Sequence, residues 1–527
     1  MARDQEEKYG LNDMVTKVSD HINKILRENL YEMNLDKERL KRLLKQKKEL
    51  RENLMRGGMG DDLAKRYIIE FLKECLLKMY SFTENSISET FYFSRRADEN
   101  VEYIFDRLLY IYKGVYGKGA MRTMINELYE LHEEKRLSLS IDEGDIRELY
   151  GIRKRELTFT EKMDLLAWKV YSAYKGLGIV DELRDMHIDG VSGGVSGAAA
   201  DKKSVWIFFM GRSIHLSFLE FESDKELERV CRNVCRFEQP GEISRQRGYI
   251  VHEMADHSRV VVARPDFAES WMFFIRKLDQ GEKRALVDIL PKTKDAGIPV
   301  LLLMFLMKGC QVVGITGMQG CGKTTLLMAL VEHIPQEYTI RVLELAFELH
   351  LRELYPKRNV VTFRETGSVG GFEGLEVQKK TDGAVSIIGE VASSRVAAWM
   401  VESGQTGSLF TLFTHHARNT RALIASLRNS LLKEGSFSNE RIATEQVVSV
   451  VHFDVHLHLD RAGKRYIERI TQITEDESVV GGYHLTDLVV YEDGIYVQKN
   501  RLDEGIRRDM RKWMNEEERR LFDACDI

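Results

Sequence analysis

The sequence predicts a mixed chain in which a helical N-terminal module and a smaller α+β domain precede an α/β domain with a parallel sheet. Three observations carry this prediction. All six prolines fall between Pro240 and Pro356, so no proline interrupts a helix before residue 240. From about Pro291, strand-like and helix-like segments alternate. An apolar run at Gln311–Ile315 then leads through a glycine-rich loop into a helix-like run.

Length and composition indicate a globular protein with several domains. At 527 residues the chain is too long for one core, and its 43% hydrophobic and 31% charged residues are typical of soluble proteins. The N-terminus lacks the apolar segment of a signal peptide. The most apolar run, Val300–Met307, is too short to span a bilayer and predicts a buried helix. Six cysteines without metal or disulfide spacing indicate a reducing cytoplasm.

Residues 1–157 form the predicted helical module. Apolar residues recur at steps of three and four over Leu11–Met55 and again over Asp61–Tyr80. The first of these segments also carries a basic cluster. Two interpretations of this cluster stay open, a solvated helix face or a contact with anionic lipid or an acidic partner. Its members are Lys37, Arg39, Lys41, Arg42, Lys45, Lys47, Lys48 and Arg51.

Residues 158–285 form the predicted α+β domain. A helix follows Thr158, and a second helix is expected at Asp224–Phe237. The segment Gly190–Ala200 is rich in glycine, serine and alanine, which predicts a flexible loop. Strands are predicted at Met186–Asp189, Val205–Met210, Ile214–Phe218, Tyr249–His252 and Arg259–Arg264.

Residues 286–500 form the predicted parallel α/β domain, and residues 501–527 a charged helical tail with Trp513 as its large apolar anchor. Two hairpins are expected near the end of the domain, at the turns before Gly463 and Gly494. After the first strand, strands are predicted at Thr339–Glu344, Asn359–Phe363, Ala384–Gly389, Leu409–Thr414, Val455–Leu459, Arg465–Thr474, Leu488–Tyr491 and Ile495–Val497.

The glycine-rich loop fits the P-loop pattern G-x-x-x-x-G-K-[ST], which cradles phosphates with its backbone amides. Because a strand precedes it and a helix follows it, we predict that the chain binds a nucleoside triphosphate, ATP. Lys323 would reach the β- and γ-phosphates, and the Thr324 hydroxyl would bind Mg²⁺. The predicted ATP-binding residues are Gly317, Met318, Gln319, Gly320, Cys321, Gly322, Lys323, Thr324 and Thr325.

Acidic and histidine residues at the ends of other strands are candidates for catalysis. Hydrolysis of ATP needs a carboxylate that orients water, and Glu390 directly follows the apolar run Val385–Gly389. Glu344 and Glu348 come just after the second predicted strand. His415 and His416 end another strand and could sense the γ-phosphate, whereas no cysteine or third histidine at ligand spacing supports zinc.

These motifs, in this order, resemble those of the secretion and pilus-assembly ATPases, the superfamily of PilT and GspE. That family has a P-loop ending in G-K-T-T, then an acidic box E-D-x-x-E-L, a Walker B motif I-[IV]-G-E and a histidine box G-S-x-x-T-x-H. The matching segments are Gly317–Thr325, Glu344–Leu349, Ile387–Glu390 and Gly407–His416. The resemblance covers roughly Leu165–Tyr491 and is strongest to the Tad/CpaF-like branch, which builds Flp pili.

The resemblance implies a RecA-like P-loop ATPase domain, a preceding α+β domain of PAS-like fold, and an arginine that reaches bound nucleotide from that domain. Arg276, in the stretch Ile275-Arg276-Lys277, matches the arginine. It also implies a hexameric motor that works with integral membrane platform proteins of a pilus or secretion system. Such a motor is cytoplasmic and contacts the inner face of the cell membrane only peripherally, without nucleic acid as a partner.

Departures from the family pattern keep two other functions open. Leu345 replaces the usual Asp of the acidic box, and Ala392 replaces the arginine that normally follows Walker B, although Arg395 lies nearby. A nucleotide-binding scaffold with little hydrolysis therefore stays an alternative, and a RecA-like nucleic-acid translocating ATPase is another. The histidine box is longer than usual, so the sequence does not decide between His415 and His416.

Overall fold

The structure of the chain is a computed structural model that describes residues 10–33, 36–94, 98–132, 140–197, 203–236, 243–277, 283–293, 295–345, 347–365, 369–404, 408–461, 463–476, 478–479, 482–525 and 527. The chain divides into two compact units, Met1–Asp279 and Gln280–Ile527. No helix within the described ranges is long and apolar enough to cross a lipid bilayer.

The first unit contains helices and one mixed sheet. Its helices are α1 (Leu11–Arg27), α2 (Lys37–Arg56), α3 (Asp62–Tyr80), α4 (Glu84–Ile87), α5 (Val101–Tyr116), α6 (Ala120–Leu131), α7 (Glu143–Arg153), α8 (Phe159–Tyr174), α9 (Asp181–Asp185) and α10 (Asp224–Val234). Its strands are β1 (Ser140–Ile141), β2 (Gly190–Val195), β3 (Ser204–Phe209), β4 (Arg212–Glu220), β5 (Tyr249–Glu253), β6 (Arg259–Ala263) and β7 (Met272–Arg276).

The sheet of the first unit has the order β1-β4-β3-β2-β7-β6-β5 and is antiparallel except for the pair β1–β4. Strand β2 is central, with Val191 opposite Ile207 on one side and Ile275 on the other. The predicted strands near Val205, Ile214, Tyr249 and Arg259 are confirmed. The short β1 adds an edge that the sequence analysis did not predict.

Two predictions in this sheet are wrong. Residues 190–195, taken as part of a flexible loop, form the central strand β2, whereas Met186–Asp189, taken as a strand, is a series of bends. Glycine is required in β2 for packing. A Cβ at Gly193 would lie 2.5 Å from the Phe221 ring and 2.6 Å from the Phe273 ring. The end of the predicted loop, residues 198–200, lies outside the described residues.

Packing in the first unit continues across the predicted boundary at residue 157. Helices α5, α6 and α7 come before that residue, yet their apolar side chains share a core with the sheet. Helix α8 follows that residue, yet it packs against α1 and α3, with Tyr171 in the same core as Val18 and Leu72. The chain therefore interleaves the two cores. The boundaries at 285 and 500 and the PAS-like character stay predictions.

The second unit is an α/β domain. Its helices are α11 (Leu286–Ile289), α12 (Gly297–Lys308), α13 (Lys323–Leu330), α14 (Leu351–Leu354), α15 (Gly371–Lys379), α16 (Ser394–Gly404), α17 (Thr420–Lys433), α18 (Glu440–Val450), α19 (Glu504–Trp513) and α20 (Glu516–Ala524). Its strands are β8 (Val313–Gly317), β9 (Ile340–Glu344), β10 (Val360–Arg364), β11 (Val385–Ile388), β12 (Phe410–His415), β13 (Phe453–Leu459), β14 (Arg465–Glu475), β15 (Tyr483–Glu492) and β16 (Ile495–Gln498).

Nine strands form the sheet of the second unit, in the order β10-β9-β11-β12-β8-β13-β14-β15-β16. The first six strands of this order, from β10 to β13, are parallel. Strands β14, β15 and β16 continue the sheet in antiparallel fashion, and the pairs β13–β14 and β15–β16 are the two predicted hairpins. The predicted fold class, a P-loop α/β domain preceded by an α+β region and N-terminal helices, is confirmed. Because the carboxyl ends of parallel strands lie along one edge, the residues after β8, β9, β11 and β12 come together.

The ends of the second unit pack onto its core. The apolar run Val300–Met307 lies in α12 and is largely buried, as predicted. In the C-terminal tail, however, Trp513 is 41% exposed and is not the main anchor. Met510 of α19 and Phe522 of α20 are buried, because the periodicity of the two helices turns these side chains inward, and Met514 between the helices is also buried. The tail is thus part of the core cluster.

Candidate nucleotide-binding site

The predicted strand, glycine loop and helix are all present. Strand β8 is buried throughout and ends at Gly317, and α13 begins at Lys323. Gly317 and Gly322 have φ values of 140° and 100°, a region that other residues rarely adopt. A Cβ at Gly317 would also lie 2.7 Å from Cys321 Sγ. The glycine spacing therefore serves a backbone path that larger residues would obstruct.

Lys323 lies over the loop that precedes it. Its side chain is buried, and its Nζ donates hydrogen bonds of 3.0 Å to the carbonyl oxygens of Gly317 and Met318. His416 Nδ1 is 3.4 Å from the same Nζ. Met318 and Gln319 are exposed at the tip of the loop. Through its contacts with Gly317 and His416, Lys323 links the base of the loop to the segment after β12.

Glu390 and His416 meet in front of the loop. Glu390 follows β11, His416 follows β12, and these two strands are neighbours. His416 Nε2 lies 3.3 Å from Glu390 Oε1, with side-chain exposures of 49% and 39%. The two ring nitrogens of His416 thus face Glu390 on one side and Lys323 on the other. The structure brings three of the predicted residues into one line of polar contacts.

His415 points elsewhere. Its Nδ1 donates to the Val391 carbonyl oxygen at 2.9 Å, and its Nε2 is 2.9 Å from Ser426 Oγ in α17. Burial lowers the pKa of His415, which favours the neutral ring that this bonding needs. Of the two histidines, His416 is the one that faces Lys323, whereas His415 ties the Walker B segment to α17. The sequence left this choice open.

Glu344 ends β9 and is buried, with a relative exposure of 4%. Its Oε1 accepts hydrogen bonds from the backbone amides of Glu348 and Leu349, at 2.9 and 2.8 Å. Its Oε2 is buried without a hydrogen-bond donor among the described residues. Burial raises the pKa of Glu344 to about 8. The half-buried Glu348 contributes its backbone amide to this arrangement.

Two arginines named from the sequence belong to different units, Arg276 to the first and Arg395 to the second. Arg276 ends β7 in the first unit and is exposed, and its predicted reach to nucleotide stays a prediction. Arg395, three positions after Ala392 in the sequence, stacks on Phe372 with 4.1 Å from Cζ to the ring centre. Its Nη1 lies 3.9 Å from Glu373 Oε1, so its nearest contacts are on α15. Gly407 of the histidine box lies outside the described residues.

Arg465 is a further residue at the loop, and the sequence analysis missed it. This arginine begins β14, and its Nε donates a hydrogen bond of 2.8 Å to the Gly320 carbonyl oxygen. The two residues are 145 positions apart, so no local motif joins them. A basic residue after the turn at Gly463 was the available signal, but only the pairing of β14 with β13 brings it to the loop.

The residues of the phosphate loop fit a nucleoside triphosphate together with Mg²⁺. Glycines at 317, 320 and 322 hold positive φ values and keep the cradle free of Cβ atoms. Lys323 supplies positive charge, and Thr324 and Thr325 on the first turn of α13 are half-buried. The Thr324 hydroxyl suits Mg²⁺, which prefers oxygen ligands. The second oxygen of Glu344 is a further buried polar atom beside Gly389, whose Cβ position is 3.2 Å from Glu344 Cγ.

No family model matches the chain, and no curated protein matches it. Among solved structures, the VirB11 ATPase from the type IV secretion system of Brucella suis, in complex with sulphate, matches with 19% identity and a TM-score of 0.31, over 54% of this chain and 89% of that chain. The ATPase DotB of Legionella pneumophila matches with 14% identity and a TM-score of 0.38, over 55% of this chain and 78% of that chain. The pilus retraction motor PilT with bound ADP matches with 14% identity and a TM-score of 0.39, over 66% of this chain and 90% of that chain.

Proposed function

We propose that the chain is an ATPase that hydrolyses ATP at the P-loop, with Glu390 as the residue that orients water. One observation carries the proposal. Lys323, His416 and Glu390 follow three neighbouring strands, which are β8, β12 and β11. His416 Nδ1 lies 3.4 Å from Lys323 Nζ, and His416 Nε2 lies 3.3 Å from Glu390 Oε1. A phosphate-binding cation and a partly exposed carboxylate within reach of one histidine are the groups that phosphoryl transfer to water requires.

In this reaction the residues of the chain have separate roles. The loop amides and Lys323 bind the β- and γ-phosphates of ATP, and Thr324 holds Mg²⁺. Bound Mg²⁺ neutralises charge on the phosphate oxygens. Glu390 accepts a hydrogen bond from the water whose oxygen attacks the γ-phosphorus, while the bond to the β–γ bridging oxygen breaks and ADP leaves. His416 bridges Lys323 and Glu390 through its two ring nitrogens and so keeps Glu390 at the correct distance from Lys323.

Turnover of ATP by wild type and by Lys323→Met tests the proposal. The substitution keeps an unbranched side chain but removes the charge, so we expect loss of Mg²⁺-ATP binding and at least a hundredfold fall in kcat/KM. Lys433→Met, at an exposed position of α17, is the matched control and should leave both unchanged. Equal hydrolysis by all three proteins, or none by the wild type, would refute the assignment.

The motif resemblance extends the proposal from an ATPase to a motor. In this wider form, the chain is a homo-hexamer of the Tad/CpaF-like branch that drives pilus assembly or protein secretion through integral membrane platform proteins. It works in the cytoplasm, with peripheral membrane contact through the basic residues of α2, and Arg276 adds a contact to the nucleotide. The support is the order of four motifs together with the Ile275-Arg276-Lys277 stretch.

Light scattering after size-exclusion chromatography tests the motor, with and without a non-hydrolysable ATP analogue. We expect a ring-sized assembly in the presence of the analogue. A monomer in both conditions would contradict the motor while leaving the ATPase assignment intact. Stimulation of hydrolysis by single-stranded DNA would favour the translocating alternative, in which stacking and phosphate contacts bind the strand.

The scaffold alternative has one specific observation in its favour. Glu344 is buried and its pKa is raised to about 8, and the acidic box lacks its usual Asp because Leu345 stands there. A site of this kind could bind nucleotide while hydrolysing it slowly. Tight ATP binding by the wild type together with undetectable phosphate release would select this alternative.

A further inference from the structure

A buried polar cluster lies directly behind the phosphate loop, on strands that carry none of the predicted catalytic residues. Asp454 is its centre. This residue belongs to β13, is fully buried, and lies opposite Gly314 of β8. Its Oδ1 accepts a hydrogen bond of 2.6 Å from Thr316 Oγ1, and its Oδ2 accepts one of 2.7 Å from Thr420 Oγ1. One carboxylate thus binds two hydroxyl groups that are distant in sequence.

The two threonines occupy positions that matter for the site. Thr316 immediately precedes Gly317, the first residue of the loop. Thr420 is the first residue of α17, four positions after His416. Asp454 therefore connects the beginning of the phosphate loop to the segment that carries the histidine between Lys323 and Glu390.

The directions of these hydrogen bonds are fixed by their partners. The Thr316 hydroxyl has one hydrogen, which it donates to Asp454, so it can only accept from His456 Nδ1 at 2.8 Å. His456 Nε2 lies 3.5 Å from Glu468 Oε2 on β14. Burial lowers the pKa of His456, and the ring donates from Nδ1 to the Thr316 hydroxyl. The Thr316 hydroxyl thus donates to Asp454 and accepts from His456, and the two hydrogen bonds hold it in one rotamer.

Placing a carboxylate here is unfavourable unless it does something that an apolar side chain could not. Burial raises the pKa of Asp454 to about 6, while hydrogen bonds from the two threonines and the positive charge of Arg469 oppose that rise. An apolar residue of similar size would fill the same volume without this opposition. The two oxygens of Asp454 allow this one side chain to accept from both hydroxyl groups, which an apolar residue could not do.

We infer that Asp454 is a positioning residue, which sets the distance between the phosphate loop and His416 by binding Thr316 and Thr420 together. The inference rests on the proposed ATPase function and adds a residue to it. Asp454 is fully buried, and it acts through the two threonines. Loss of its bond to Thr316 affects the loop and hence nucleotide affinity, whereas loss of its bond to Thr420 affects His416 and hence turnover.

Matched substitutions separate the effect on nucleotide affinity through Thr316 from the effect on turnover through Thr420. Valine has the shape of threonine without the hydroxyl, and serine keeps the hydroxyl without the methyl group. We expect Thr420→Val to lower kcat about tenfold with an unchanged Kd for a fluorescent ATP analogue, and Thr420→Ser to restore kcat to within twofold of wild type. We expect Thr316→Val to raise Kd about tenfold and Thr316→Ser to restore it. Thermal unfolding midpoints establish that each variant is folded at the assay temperature.

The outcomes distinguish the inference from the function on which it rests. Equal kcat for Thr420→Val and Thr420→Ser, or equal Kd for the two Thr316 variants, would refute the positioning role. Failure of the wild type to hydrolyse ATP would instead refute the proposed function, and the Kd comparison at Thr316 would then decide the inference alone. A wild type that does not bind the analogue would overturn both. A loss of thermal stability in the valine variants with normal kcat and Kd would make Asp454 a purely structural residue.

Discussion

Strands β9 and β11 lie side by side in the second sheet. Glu344 is the last residue of β9 and Glu390 comes two residues after β11, so both lie at the edge where the phosphate loop lies. The environments of the two carboxylates are opposite. Glu344 is 4% exposed, and two backbone amides bind one of its oxygens. Glu390 is 39% exposed and faces a histidine. Identical side chains on adjacent strands are thus placed for different work.

Glu344 and Glu390 differ in how far their carboxyl groups are exposed to solvent. Burial favours the protonated form of Glu344, with its pKa raised to about 8, so near neutral pH this side chain is mainly an uncharged cap for the turn after β9. Glu390 is in reach of solvent and of His416, and therefore can exchange hydrogen bonds with water. Adjacent position in the sheet does not make two acids equivalent, and burial separates them.

The largest expected effect is on Glu390. Replacement by glutamine keeps the size of the side chain and removes the acceptor charge, so we expect kcat to fall by about 10²- to 10⁴-fold. Steady-state phosphate release measures this, with Glu434→Gln at an exposed position as the control. If Glu344→Gln lowered kcat more than Glu390→Gln, the roles assigned to the two acids would be reversed.

The next effect concerns the pH dependence of stability at Glu344. A carboxyl group whose pKa is raised on folding stabilises the fold below its unfolded pKa, and this contribution is lost as the pH rises through about 8. Glu344→Gln does not titrate, so its stability relative to wild type should increase by roughly 2–3 kcal/mol between pH 5 and pH 7. Urea denaturation at the two pH values measures the change. A difference that does not vary with pH would show that Glu344 ionises normally.

A smaller effect distinguishes the two histidines. His416→Gln should lower kcat about tenfold, because a hydrogen bond in the transition state is lost or misplaced. It should do so in the Glu344→Gln background but hardly at all in the Glu390→Gln background, since only Glu390 contacts His416. His415→Gln should instead lower the unfolding midpoint, because it breaks the link from Val391 to Ser426. Equal coupling of His416 to both acids would contradict the contact.

The smallest expected effect is at Arg465. Its contact with the Gly320 carbonyl oxygen involves neither glutamate, so Arg465→Gln should weaken binding of the ATP analogue about threefold to tenfold and leave kcat nearly unchanged. Titration with the fluorescent analogue measures Kd. Arg461→Gln, at an exposed arginine in the turn before β14, is the comparison, and a similar loss there would point to a general disturbance of this part of the chain.

What the sequence predicts well is local or periodic. The strand, loop and helix around Gly317–Lys323 follow from spacing within a dozen residues, and the parallel strands of the second unit follow from apolar runs of the right length. The same reasoning locates Glu390, because a carboxylate after a buried strand must lie at its end. The conditions that make these predictions possible are all contained in neighbouring residues.

What the sequence could not predict depends on partners far along the chain. The glycines of Gly190–Val195 look like a flexible loop, yet they form a central strand because the rings of Phe221 and Phe273 occupy the space of their side chains. The choice between His415 and His416 depends on Ser426 and Glu390. Likewise, the sequence around Glu344 does not indicate that this residue is buried, and the sequence around Arg465 does not indicate that it contacts the phosphate loop.

Cys321 gives the phosphate loop a chemical reporter of its own motion. Its side chain is fully buried beneath Gly317, and burial raises the pKa of the thiol, which keeps it protonated. Alkylating reagents attack the thiolate, so this cysteine is inert while the loop keeps the described conformation. Its modification by iodoacetamide would therefore require the loop to open, and the labelling rate of this residue with and without nucleotide would compare how readily the loop opens in the two states.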